Sequence, residues 1–370
     1  CYQSPRVLRL RIVFSCYYWL KSVCKITTKF VQLQIIRVKI LLLRTFFLQH
    51  SSKSSTFALA NPLKLLEPLK PLKLLKPLNM LPTVALIYDF DGTLAPGNMQ
   101  EFGLLQAIGY TNPNDFWNLC DQIAKTNDAG GISVVMYAIQ AEARRAGIRC
   151  TRDMLRHFGK MVQFFPGVIE WFDKINAYAT QIGIEVKHYI NSSGVKEMVE
   201  GCAIAHEFEQ IYACTYLYDS TGEACWPAVV VDYTKKTQFL FKINKGIREV
   251  SDRVRINEFV PTEERPVPFE RMIYFGDGET DVPCMRTVKT NGGHSFAVYG
   301  NEKKRTLAQQ LLSEGRVNFA CPADYTENGQ MMEIVKRILD KIKADYTLQQ
   351  HSTVNRDTLN MYSALGDTLE

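Results

Sequence analysis

Asp89 and Asp91 stand two residues apart at the end of the apolar run Val84-Ala-Leu-Ile-Tyr88, and Gly92 and Thr93 follow them. Alternate side chains of an extended backbone share a face, so both carboxylates project the same way. Like charges at about 4 Å repel by roughly 4 kcal/mol at an effective dielectric near 20, so one carboxyl carries a proton or a cation lies beside the pair. A proton held there, or a hard cation seated there, is the chemistry such a pair offers. A strand closing in a solvated Asp-Gly turn explains an isolated D-x-D-G equally well, so the decision rests on the rest of the chain.

Three further sets of residues have the same character. Ile184–Ile190 reads as a buried strand running into Asn191-Ser-Ser-Gly194 and a helix from Val195 to Cys202, and free N–H groups at a helix start favour anions. Met272–Phe275 is a short apolar strand ending in Gly276-Asp-Gly-Glu-Thr-Asp281, which places Asp277 and Asp281 at its carboxyl edge. Lys235 and Lys236 open a helix that runs to Gly246, where a cation opposes the macrodipole, so one of them is expected to serve something other than helix stability. In a parallel α/β sheet, strand ends converge on one crevice, and that crevice is where ligands bind.

The elements needed to bring these sets together can be read from Met80 onward. Pro96-Gly97 turns the chain out of the core, and the next 65 or so residues carry three helical stretches, Asn114–Asn127, Ile132–Ala146 and Arg152–Val162. A helix from Ile169 to Gln181 precedes the second strand. Ile211–Leu217 and Ala228–Asp232 flank Asp219-Ser-Thr-Gly222 as a hairpin, and further strands are expected at Phe296–Tyr299 and Val317–Ala320 around a helix at Lys304–Ser313. A last helix covers Met331–Lys343. The predicted fold is a Rossmann-like parallel sheet sandwiched by helices, formed by residues 80–97 and 164–345, with a small helical cap at 98–163 and a flexible tail at 346–370.

Composition narrows the class. The net charge of +6 hides a split, because residues 1–80 carry fourteen Lys and Arg against the one acid Glu67, a balance of +13 that leaves −7 for the other 290 residues. That acidic remainder argues against a nucleic-acid partner. None of the ten cysteines forms a C-x-x-C pair or a Cys/His cluster with zinc spacing, which fits free thiols in a reducing, cytoplasmic setting. Residues 1–79 form a basic, low-complexity leader with the Pro/Leu/Lys run Pro62–Leu78, and its apolar stretch Val31–Leu48 is interrupted by Arg37, Lys39 and Arg44, against a membrane span. We expect this leader to be upstream sequence outside the native protein, with Met80 as the natural start; the alternative is an organelle transit peptide.

Taken together, D-F-D-G-T-L at 89–94, the strand-terminal Ser of Ile190-Asn-Ser-Ser-Gly194, the helix-opening lysine and G-D-G-E-T-D at 276–281 resemble the motifs of the haloacid dehalogenase superfamily, from about Pro82 to Lys343. The resemblance implies a phosphohydrolase. Asp89 would accept the phosphoryl group as an aspartyl phosphate, and Asp91 would protonate the leaving oxygen and then activate water. Mg²⁺ would be held by the Asp89 carboxylate, the Asp91 backbone carbonyl and Asp277, with Asp281, Gly92 and Thr93 in support. Ser192 and Lys236 would bind the transferring oxygens, with Ser193 and Lys235 as alternatives.

The superfamily's carbon–halogen cleaving members lack the second aspartate, so Asp91 implies phosphate esters, and the substrate implied is a small phosphorylated metabolite. The helical insertion and the hairpin resemble the phosphoserine phosphatase branch, yet that branch has a substrate-reading Glu where this chain has about Asn98. Asn98, Gln100, Arg144, Arg145 and Lys160 are candidates for the leaving group's surroundings. A phosphotransferase or phosphomutase using the same intermediate, and a non-catalytic binding module, are the alternatives.

Overall fold

The run Val84–Tyr88 forms the inner part of the central strand β1 (Thr83–Tyr88), all five residues of which are inaccessible to solvent. The computed structural model describes the backbone of residues 81–366 and the side chains of residues 81–356; the leader expected at 1–79 lies outside the described residues. An apolar strand buried on both faces needs strands on both sides and helices above and below, and the chain supplies both. β1 pairs in parallel with β2 (Glu185–Val195) on one side and with β5 (Met272–Gly276) on the other.

The seven-stranded sheet has the order β4-β3-β2-β1-β5-β6-β7. β3 (Phe208–Tyr218), β6 (His294–Tyr299) and β7 (Phe319–Pro322) are parallel to their neighbours, and only β4 (Ala224–Val229) runs antiparallel, at the edge. The chain winds outward from β1 through β2 and β3, then returns to β5 beside β1. That reversal is a topological switch point, and its crevice opens at the carboxyl ends of β1 and β5.

Between β1 and β2 lie α1 (Pro113–Asn127), α2 (Gly131–Arg145), α3 (Arg152–Gly159) and α4 (Val168–Ile182). Side-chain caps fix two of the starts, with Asn112 accepting from the Asn114 N–H and Thr151 from the Met154 N–H. α4 packs on β2, while α5 (Lys196–Gly201) follows β2 directly. α6 (Tyr233–Asn244) and α7 (Val282–Thr290) pack together beside β2, β5 and β6; α8 (Glu302–Ser313) covers β6 and β7; α9 (Gln330–Gly366) packs on α4 and β7.

The expected α/β sheet and its helices are present; several boundaries shift by up to three residues, and three differ by more. β2 runs on to Val195, since it continues to pair with β3 through an irregular register between Asn191 and Val195. β4 starts four residues before the expected Ala228 and includes Pro227, which an edge strand tolerates. α9 continues past the expected end near Lys343 to Gly366, and almost every side chain from Lys343 to Arg356 is exposed or half-buried, so local helix propensity rather than packing carries that stretch. Among the described residues no helix is long and apolar enough to cross a membrane, and seven cysteines are free thiols.

Candidate active site

β1 delivers Asp89 to the crevice, and the Asp89 N–H still donates to the Phe275 carbonyl of β5 at 2.8 Å, so the carboxylate sits at the switch point itself. The chain then turns sharply: Gly92 has φ +74°, and a Cβ there would lie 2.1 Å from Asp277 Oδ2. Only glycine lets the turn after β1 press against the carboxylate that ends β5. Gly276 has the same function one strand over, since a Cβ there would be 2.5 Å from Asp281 Cγ.

Lys236 joins these carboxylates. Its ammonium is fully buried, donates to Asp281 Oδ1 at 2.7 Å and lies 3.1 Å from Asp89 Oδ1. Asp281 is the anchor, because its Oδ1 also accepts from the Tyr274 hydroxyl at 2.7 Å and its Oδ2 from the Gly278 N–H at 3.3 Å. Lys235 points outward, 53% exposed and 3.5 Å from Asp232, so of the two lysines only Lys236 reaches the crevice. Burial opposes the charge on Lys236, but Asp281 and Asp89 outweigh it and raise its pKa.

On the β2 side Ser192 is buried, and its Oγ accepts from the Gly194 N–H at 3.0 Å, which leaves its own hydrogen free to donate. Ser193 Oγ is buried with no partner, as are Thr93 Oγ1 and Asn191 Oδ1. Asp91 Oδ1 accepts from the Met99 N–H at 2.8 Å, and its Oδ2 faces Gly194, where a Cβ would come within 3.1 Å. The strand ends of β1, β2 and β5 are thus brought to one place, together with the start of α6.

Oxygen atoms of Asp89, Asp277 and Asp281 lie within 4.8 Å of one another. Burial, then the neighbouring Asp281, pushes the Asp89 carboxyl well above its usual range; burial raises Asp91 to about 7 and also raises Asp277. Three carboxyls that resist ionisation mark a site short of positive charge. An all-oxygen donor set of this kind suits a hard divalent cation such as Mg²⁺. Since both oxygens of Asp281 are already engaged, Asp89 and Asp277 are the carboxylates with capacity for it.

Three residues escaped the sequence reading. Lys304, in the first turn of α8, places its Nζ 2.8 Å from Asp277 Oδ2; the anti-dipole position that singled out Lys236 applies to it equally. Tyr274 is one of four apolar-looking residues in β5, and nothing in a buried strand marks a phenol as a carboxylate donor. Glu101 lies three residues past Asn98, accepts from the Asn98 amide at 2.8 Å and the Trp117 indole at 2.9 Å, and adds its charge to the surroundings of Asp91. Of the other leaving-group candidates, Gln100 is buried with Oε1 unpartnered, Arg145 pairs with Glu142, and Arg144 and Lys160 are exposed.

Comparison with known proteins follows the same outline. A curated protein of Borreliella burgdorferi, described as uncharacterized, is 29% identical over 279 residues, covering 67% of this chain and 93% of that one. Among solved structures, a haloacid dehalogenase family hydrolase from Salmonella enterica serovar Typhi superposes with TM-score 0.44 at 12% identity, over 70% of this chain and 71% of that one. A probable phosphoserine phosphatase from Vibrio cholerae gives 0.46 at 14%, over 72% and 67%. Residues 86–286, more than half of the chain, match the haloacid dehalogenase-like hydrolases as a family, and the chain belongs to that family.

Proposed function

We propose that this chain is a Mg²⁺-dependent phosphohydrolase that cleaves a small phosphate monoester through an aspartyl phosphate on Asp89. One observation carries the reading: the fully buried ammonium of Lys236 bridges Asp89 to Asp281, so Asp89 is held in place with its second oxygen uncommitted. A carboxylate fixed at a switch point beside a buried cation and unfilled hydroxyls is arranged for an anion with a phosphorus centre.

The uncommitted oxygen of Asp89 attacks phosphorus as the ester P–O bond breaks, and the leaving alkoxide takes a proton from Asp91 Oδ2. The resulting Asp91 carboxylate then removes a proton from water, whose oxygen attacks phosphorus; the acyl-phosphate P–O bond breaks, releasing inorganic phosphate and restoring Asp89. Ser192 and Lys236 donate to the phosphoryl oxygens. Asp89, the Asp91 carbonyl and Asp277 would hold Mg²⁺, which when bound offsets the negative charge shared by the carboxylates and the phosphoryl group. The helical insertion 98–163 serves as a cap, and Glu101 offers a negative pole near Asp91, suited to a leaving group bearing an ammonium.

Purified protein with Mg²⁺ should release phosphate from an aryl phosphate and from members of a phosphometabolite panel that includes amino-bearing esters. Asp89→Asn should lower kcat at least about a thousandfold while the protein stays folded. Turnover that survives Asp89→Asn would refute the intermediate; product transfer to an added alcohol in place of water would convert the reading to a phosphotransferase.

A further inference from the structure

Lys304 stands apart from the other cation of the crevice. Lys236 is fully buried, shared by two carboxylates and fixed. Lys304 comes from α8; its ammonium lies 2.8 Å from Asp277 Oδ2 and 3.4 Å from the Asp277 carbonyl, while 37% of its side chain is exposed. Asp277 is only 9% exposed, and among the described residues Lys304 is its one ion-pair partner.

Helix energetics do not account for that arrangement. Lys304 is in the first turn of α8, where its own N–H is taken by the Asn301 cap at 3.0 Å and where a cation meets the positive end of the dipole. The side chain gains from Asp277 what it loses to the helix, and its exposed flank gives it a path to water.

The geometry points to Lys304 as a built-in competitor for the divalent cation: its ammonium holds Asp277 in the cation-free protein and gives way when the cation binds. This rests on Asp277 being a cation ligand, as proposed above. Two positive groups on one small carboxylate repel, and the monovalent one is the group on a flexible stem with access to solvent. Lys304 therefore sets how much free cation the protein needs. It touches neither nucleophile nor acid, so it is a positioning residue.

The test is cation affinity measured without substrate, by Mn²⁺ electron paramagnetic resonance and Mg²⁺ calorimetry, on the full chain, Lys304→Met, Lys304→Arg and Asp277→Asn. Lys304→Met should bind about tenfold more tightly, Lys304→Arg should stay close to the parent, and Asp277→Asn should bind far more weakly. A second readout is the reactivity of Lys304 toward reductive methylation, which should rise when Mn²⁺ is added. Unchanged or weaker binding in Lys304→Met, with Asp277→Asn still defective, overturns the inference and leaves the metal site standing. Parent protein that binds no cation, or Asp277→Asn that binds as the parent does, overturns both. A thermal melt of each variant separates loss of binding from loss of fold.

Discussion

Lys236 shows how one side chain can serve both fold and chemistry. Removing it leaves Asp281 and Asp89 buried without their counter-charge, and breaking a buried pair from one side costs about 3–5 kcal/mol. Lys236→Met should therefore lower urea-unfolding stability by that amount in Mg²⁺-free buffer, whereas Lys235→Met, which loses only an exposed contact with Asp232, should stay within about 0.5 kcal/mol. Gly92 is the second single-residue constraint. Gly92→Ala puts a methyl group against Asp277 Oδ2 at φ +74°, and a displacement of about 1 Å in the carboxylate proposed to hold the cation is enough for a hundredfold fall in kcat/KM, to be read from Mg²⁺-dependent phosphate release. The carboxylates that end β1 and β5 and the pair Lys235 and Lys236 were legible because each breaks a local rule, acids closing an apolar strand and lysine at the wrong end of a helix, while the choice of Lys236 over Lys235 needed the fold. Tyr274 obeys the rules of a buried strand until its hydroxyl is placed against Asp281, and so nothing in the chain announced it.

The helical insertion is tied to the α/β layers through α3 and α5. A Cβ on Gly159 would lie 2.0 Å from the Met198 carbonyl oxygen, and one on Gly201 would lie 2.1 Å from that of Arg156, so the two backbones touch through a reciprocal pair of glycines. Arg152 reaches the buried Glu197 at 3.3 Å and stacks over Tyr218, and Arg156 meets Glu200 at 2.7 Å. The crossing is completed at the hairpin, where the Ala224 N–H donates to the Cys150 carbonyl at 2.7 Å and the Tyr216 hydroxyl to the Met136 carbonyl at 2.7 Å. Gly159→Ala and Gly201→Ala should each destabilise by about 1–3 kcal/mol in denaturant unfolding. The double variant should cost less than the sum, because the first forced separation relieves the second contact. Periodicity found α1, α2 and α3 as helices, yet it could not show this docking: a glycine at a helix end reads as a terminator, and its reason lies in the partner helix.

Across the molecule, buried titratable groups pull stability in opposite directions as pH changes. A chain of rings and one amide ties α4 to β1 and β2: the Trp171 indole donates to the Tyr88 hydroxyl at 2.8 Å, that hydroxyl meets His188 Nδ1 at 3.0 Å, and His188 Nε2 meets Asn176 Oδ1 at 3.0 Å. With the indole donating, the phenol is left to donate to Nδ1, which fixes the neutral imidazole with its proton on Nε2. Burial lowers the His188 pKa from 6.5 to about 3. The unfolded chain therefore takes up a proton that the folded one refuses between those values, and stability falls as pH drops through that window, by up to about 1.4 kcal/mol per pH unit. The raised carboxyls of Asp89, Asp91 and Asp277 act with the opposite sign, since the folded protein holds their protons above pH values at which the unfolded chain has released them. Overall acid sensitivity thus mixes the two, and only a difference between proteins isolates the histidine. Urea-unfolding stability measured from neutral pH downward for the parent and His188→Gln should show the variant less stable at pH 7, through its lost fit to Tyr88 and Asn176, but with a flatter decline toward acid. Parallel slopes would place the acid-sensitive proton on another group.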